Sequence, residues 1–136
     1  MNLKKIVSSS IIIAGVASML TVGVNANNHS DSSFSFNLGL FKTSSTTTYR
    51  GKEDNTSAYI NCTSVSTSDG EFDVYVLGPS GADRTWGTPK TVRQGTETYL
   101  ENSVYESGER KAALKGVRES WRSGFTASGL WSPDSI

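Results

Sequence analysis

The chain has 136 residues, 13 Lys and Arg against 13 Asp and Glu, one His and one Cys. This length suits one compact domain, and the balanced charge offers no concentrated positive surface, which argues against a nucleic acid partner. A single cysteine excludes an intrachain disulfide, so stability must come from packing and strand pairing.

The first 26 residues read as an export leader. Lys4 and Lys5 precede an apolar stretch from Ile11 to Val24, and Val24-Asn25-Ala26 ends on a small residue suited to signal peptidase. A permanent anchor wants roughly 20 apolar residues, and Ser8-Ser9-Ser10 together with Asn25 shortens the run. The expected organisation is a cleaved signal peptide at 1–26, a flexible segment at 27–33 and a single domain at 34–136. With Lys4 and Lys5 removed, 11 cations face 13 acids, so the exported part is slightly acidic. All 13 aromatic residues follow the leader, which is enough bulk to fill one core. Cys62 lies too far downstream for a lipid anchor, and Trp131 to Ile136 carries no sorting motif, so release outside the cell without a stable membrane anchor is expected.

Phe34-Ser35-Phe36-Asn37-Leu38-Gly39-Leu40 alternates apolar with polar or small residues, which predicts a strand with Phe34, Phe36, Leu38 and Leu40 on one face. Thr43 to Thr48 is an unbroken Ser/Thr run, read as a solvated strand edge or loop. Glycosylation of this tract, or its addition to a partner's sheet edge, is the alternative. Ala58 to Val65 and Glu71 to Leu77 predict two more strands, joined by Ser68-Asp69-Gly70 as a hairpin. Gly78 to Asp83 is a turn cluster, and Trp86 to Arg93 and Thr96 to Leu100 are shorter extended pieces around Gln94-Gly95. Arg110 to Arg122 fits two periods. Ala113, Leu114, Val117 and Trp121 share a helical face, with Lys111, Lys115, Arg118 and Arg122 beside it, but Gly116 in the middle and a poor start favour a strand. Phe125 to Trp131 is the last strand, stopped by Pro133. Short strands between Gly, Ser, Asn and Asp turns predict an all-β fold, a small antiparallel β-sandwich of about six to eight strands.

Catalytic chemistry finds little support. A Ser or Cys nucleophile needs a neighbouring base, and the only histidine, His29, falls just beyond the leader. One His and one Cys cannot supply a standard zinc set, and Gly78-Pro79-Ser80-Gly81 lacks the Lys of a phosphate-binding loop. Asp69, Glu71 and Asp73 repeat at period two, so three hard oxygens on one face are a candidate Ca²⁺ site. The plainer reading makes them the wet side of a strand whose Phe72, Val74 and Val76 face the core. A glycosidase pair among Glu97, Glu101, Glu106 and Glu109 is conceivable, because that hydrolysis needs only two carboxyls at a set separation. Cys62 reads as a buried, inert thiol. Asn-x-Ser/Thr triplets at Asn28, Asn55 and Asn61 match the glycosylation pattern. No cofactor and no metal are expected.

Binding is the better-supported class. Trp86, Trp121 and Trp131 sit beside turns, where they either plug the core ends or stack on a partner, and Lys111, Lys115, Arg118 and Arg122 are candidate contacts for an anionic polymer. The order of features, from the leader and the Phe-Ser-Phe strand to Ser128-Gly129-Leu130-Trp131-Ser132-Pro133-Asp134-Ser135, resembles a family of small exported proteins of Gram-positive bacteria defined as a domain of unknown function. The resemblance spans Phe34 to Ser135; it implies export and a β fold and transfers no site. The expected function is that of a secreted, noncatalytic β-sandwich contacting an envelope polymer or a protein, with a bacteriocin-like or toxin-like polypeptide as the alternative.

Overall fold

The computed structural model describes residues 28–39, 41–119 and 121–135. Nine strands occur among these: β1 (Ser32–Leu38), β2 (Ser44–Thr46), β3 (Arg50–Gly51), β4 (Ala58–Val65), β5 (Glu71–Leu77), β6 (Lys90–Arg93), β7 (Thr96–Leu100), β8 (Lys111–Val117) and β9 (Phe125–Ser132). One antiparallel sheet has the order β1-β9-β4-β7; the other runs β2-β8-β5-β6, with β3 also paired to β8. The fold is the expected all-β sandwich, and two very short pieces, β2 and β3, carry the strand number past the expected range. The expected leader at 1–26 and Leu40 of the predicted first strand lie outside the described residues.

Each sheet buries the alternate residues that period two assigns to its inner face. From one sheet come Phe34, Phe36, Leu38, Ile60, Cys62, Leu100, Phe125, Ala127 and Trp131, and from the other Phe72, Val74, Val76, Val92, Ala112 and Leu114. Phe36 meets Phe72 edge-on at 6.1 Å between ring centres, and Phe72 meets Phe125 at 5.8 Å, so aromatic contacts cross the layer boundary. In β4 a bulge at Thr63 resets the alternation, which returns Val65 to the core after two exposed residues.

The hairpin expected between Ala58–Val65 and Glu71–Leu77 is not formed. β4 pairs with β9 and β7, whereas β5 pairs with β8 and β6, so Ser66 to Gly70 is an arch from one sheet to the other. Both strands carry a strongly apolar face that either arrangement can bury, and the neighbours each strand takes select the arch. A hairpin would place Ile60 and Val74 side by side in one layer, whereas the arch sets them face to face across the core. Gly70 sits at φ +70°, the left-handed conformation the arch needs at that point. Of the connections between the nine strands, those between β2 and β3 and between β5 and β6 stay within a sheet, and the others change layer.

Lys111–Val117 is a strand, and Gly116 is what permits it to pack. A Cβ there would lie 2.7 Å from Phe36 Cδ2, so only glycine lets the Phe36 ring approach β8. The residue that speaks against a helix in sequence thus has a steric role in the sheet.

Candidate functional site

The C-terminal Trp-Ser-Pro-Asp-Ser segment folds inward and builds one end of the sandwich. Lys52 Nζ donates to Asp134 Oδ1 at 2.6 Å, with both side chains essentially sealed from solvent. Asp134 Oδ2 accepts from the backbone N–H of Asn28 (2.7 Å) and of Glu53 (2.9 Å), and Lys52 also donates to the Thr56 carbonyl. One carboxylate therefore gathers the start of β1, the end of β3 and the tail of β9, and its acceptor capacity is used by three donors. Arg50 adds a second tie, donating to the carbonyls of Trp131 (3.0 Å) and Ser30 (2.8 Å) while its guanidinium lies 5.3 Å from the centre of the Trp131 ring. The segment expected to be a flexible lead-in is bonded at Asn28 and Ser30, and β1 begins inside it, at Ser32.

Above this anchored end, the outer face of the first sheet carries a cleft. Tyr59 on β4 pairs in register with Tyr99 on β7 and, on its other side, with Ser132 on β9. Both tyrosines point outward because Ala58, Ile60 and Leu100, their chain neighbours, point to the core. Their ring centres are 5.7 Å apart and the planes are inclined at 54°. His29, Asp31, Ser132, Asp134 and Ser135 complete a cleft of about 220 Å³. Glu97 and Asn61 hydrogen-bond the Tyr59 hydroxyl region; partial desolvation first, and then the Glu97 carboxylate, hold that phenol above its ordinary value.

The other sequence candidates are dispersed. Trp131 is buried in the core, so it presents no ring to a partner. Trp86 is exposed near Asn55, Glu101 and Ser135. Trp121 is 73 % exposed on the loop before β9, with the Arg122 guanidinium 4.6 Å from the ring centre. Arg122 is committed: it donates twice to Asp69 (3.1 and 2.8 Å) and once to Glu119 (2.7 Å). Arg118 donates to the Arg122 carbonyl at 2.7 Å. Lys111 and Lys115 lie on the outer face of β8, Lys115 being 5.9 Å from the centre of the Tyr75 ring. The four cations thus line no common groove.

The carboxylates that suggested chemistry are likewise separated. Asp69 is held by Arg122, Glu71 pairs with Arg93, and Asp73 accepts from Thr91 (2.8 Å) beside Glu119. Among the described residues, no three His, Cys, Asp or Glu are grouped to hold a metal ion. Glu109 is paired with Arg84 at 2.9 Å, which holds its carboxyl below the usual range, the opposite direction from that of a general acid. The Cys62 thiol is buried, donates weakly to the carbonyls of Ser64 and Ser128, and is pushed up by desolvation, as an inert thiol should be.

Sequence reasoning passed over Tyr59, Tyr99 and Asp31. Period two does send both tyrosines outward, but their meeting depends on the β4–β7 register, which no local pattern encodes. Nothing local marks Lys52 as a buried ion-pair partner, because Asp134 lies 82 residues away. Neither the curated proteins nor the solved structures yield a match. The model of the family described as "Protein of unknown function (DUF2712)" matches residues 22–135, which takes in the anchored end, the cleft and both sheets, and the chain belongs to that family.

Proposed function

We propose that this protein is secreted and acts by contact, as a noncatalytic binding module at the cell envelope or in the surrounding medium. The observation that carries this reading is the Tyr59–Tyr99 pair, two aromatic rings held outward on a firmly paired sheet beside a polar cleft. Leaving such rings in water is unfavourable for the free protein, so their place on a rigid face suits recognition of a partner. The carboxylates Asp69, Glu71 and Glu109 are taken up by arginines, which supports contact rather than acid–base chemistry. The test is sedimentation of the purified protein with washed envelope fragments of the producing cells. Recovery in the pellet, reduced when Tyr59 and Tyr99 are both changed to Ala, is expected; a protein that stays in the supernatant overturns the reading.

A toxin-like role has its own observation. Phe41 is fully exposed and Trp121 largely so, on two loops that Arg118 joins through its bonds to the carbonyls of Lys42, Thr43 and Arg122. Aromatic tips beside cations suit an anionic surface. Growth inhibition of related strains, lost when Lys111, Lys115, Arg118 and Arg122 become Gln, supports this second reading; no inhibition zone removes it.

A further inference from the structure

The cleft at Tyr59 and Tyr99 has a chemical character that narrows what it holds. Its walls include two neighbouring tyrosine rings, and its exposed rim carries the oxygen and nitrogen groups of Asp31 and His29, with the buried Ser132 behind them. A pyranose ring presents the complementary surface, an apolar C–H face for the ring and an equatorial belt of hydroxyls for the acceptors. Drug-sized ligands occupy roughly 300–1,000 Å³; at about 220 Å³ this cleft suits a single ring with the rest of a chain passing over the open sheet face. Asp31 places negative charge at the rim, which opposes phosphate and carboxylate groups and favours an uncharged sugar. Preorganisation is supplied from below. The Lys52–Asp134 pair and the Arg50 tie fix the segment bearing His29 and Asp31 against β9, and tyrosines on paired strands have little rotational freedom to lose on binding. The larger cleft beside Trp121 lacks this complement, since its arginine already binds Asp69 and Glu119.

We propose that this cleft is a subsite for one uncharged pyranose unit of a glycan, stacked on the exposed Tyr99 ring beside Tyr59 and hydrogen-bonded through its hydroxyls to Asp31. The inference rests on the contact reading above and names its ligand class. Tyr99, 55 % exposed, supplies the stacking platform, while Tyr59, half-buried and held by Glu97, forms the back wall.

The test titrates isotopically labelled protein with the β-1,4-linked trimers of glucose and of N-acetylglucosamine, and with glycerol phosphate as an anionic comparator. Amide shifts confined to residues near His29, Asp31, Tyr59, Tyr99 and Ser132 with a neutral trimer are expected. Tyr99→Ala should weaken that binding about tenfold, and Tyr99→Phe should leave it within about threefold, because the ring face is kept. Asp31→Asn, a surface change that leaves the fold intact, should weaken it by about threefold or more, which guards against a Tyr99 variant that is merely unfolded. Absence of localised shifts with both trimers, unchanged affinity in Tyr99→Ala with a native thermal transition, or preferential binding of glycerol phosphate overturns the inference. If envelope fragments still sediment the Tyr99→Ala protein, the contact reading stands and only the cleft assignment falls. If the unaltered protein binds no fragments, the contact reading falls first, and shifts at the cleft then report sugar recognition in its own right.

Discussion

At one end of the sandwich, Asp134 and Lys52 form an ion pair with 0 % and 1 % of their side chains exposed; at the other, Arg122 binds Asp69 and Glu119, whose side chains are 44 % and 35 % exposed. The number of charge-assisted bonds is similar at the two ends. The difference lies in what breaks when a partner is removed. In the exposed network water and salt replace a lost partner, whereas inside the fold a stranded charge has nothing to turn to. The buried pair also satisfies the backbone N–H groups of Asn28 and Glu53, so it organises chain as well as charge.

That contrast is open to direct test. Asp134→Ala should cost about 3–5 kcal/mol, read from urea denaturation, because it leaves Lys52 buried and unpaired. The double change Lys52→Met with Asp134→Leu should remain destabilised, since two backbone amides keep no acceptor; wild-type stability in the double variant would show that the pair is replaceable by packing alone. Midway along the sandwich, Gly116→Ala should cost about 1–3 kcal/mol by forcing the Phe36 ring away from β8, which the same denaturation curve reports.

At the exposed end, Arg122→Gln should move the thermal midpoint little at neutral pH, and less still in high salt. Its signature is the acid limb. Arg122 holds the Asp69 and Glu119 carboxyls below their unfolded values, so their contribution is present above about pH 4 and is lost as pH falls through the folded values. The variant should therefore show a shallower loss of stability below about pH 4 than the parent. Asp73 works in the opposite sense and gives the smallest effect. Burial first, and then Glu119, raise its carboxyl, so at neutral pH its ionised form opposes folding, and this cost fades as the solution is acidified toward about pH 4. Asp73→Asn should raise the midpoint slightly at pH 7, with the gain over the parent shrinking as pH falls; an equal gain at every pH would assign it to packing instead.

Local pattern carried most of the strand assignments. The alternation of β1, of the first half of β4 and of β5 is a direct record of which side chains face the core, and the burial of Phe34, Phe36, Ile60, Phe72 and Val74 follows it. Lys111 to Val117 was harder, because Ala112, Ala113 and Leu114 are buried in succession and blur the period. The hairpin expectation failed for a related reason: two apolar-faced strands and a Gly-containing link fit an arch as well as a hairpin, and only the choice of neighbours in each sheet separates them.

The candidate site was less legible than the fold. Trp86, Trp121 and Trp131 attract notice by residue type, yet one became core, and the pair that shapes the cleft consists of tyrosines 40 positions apart. What this chain determines by itself is the identity of each strand's inner face, since side-chain alternation is a property of extended backbone and needs no partner. Which strands become neighbours, that Lys52 finds Asp134, and that Tyr59 and Tyr99 share one cleft were decided only by the tertiary structure, because these contacts join distant segments whose pairing is selected by burying both apolar faces at once.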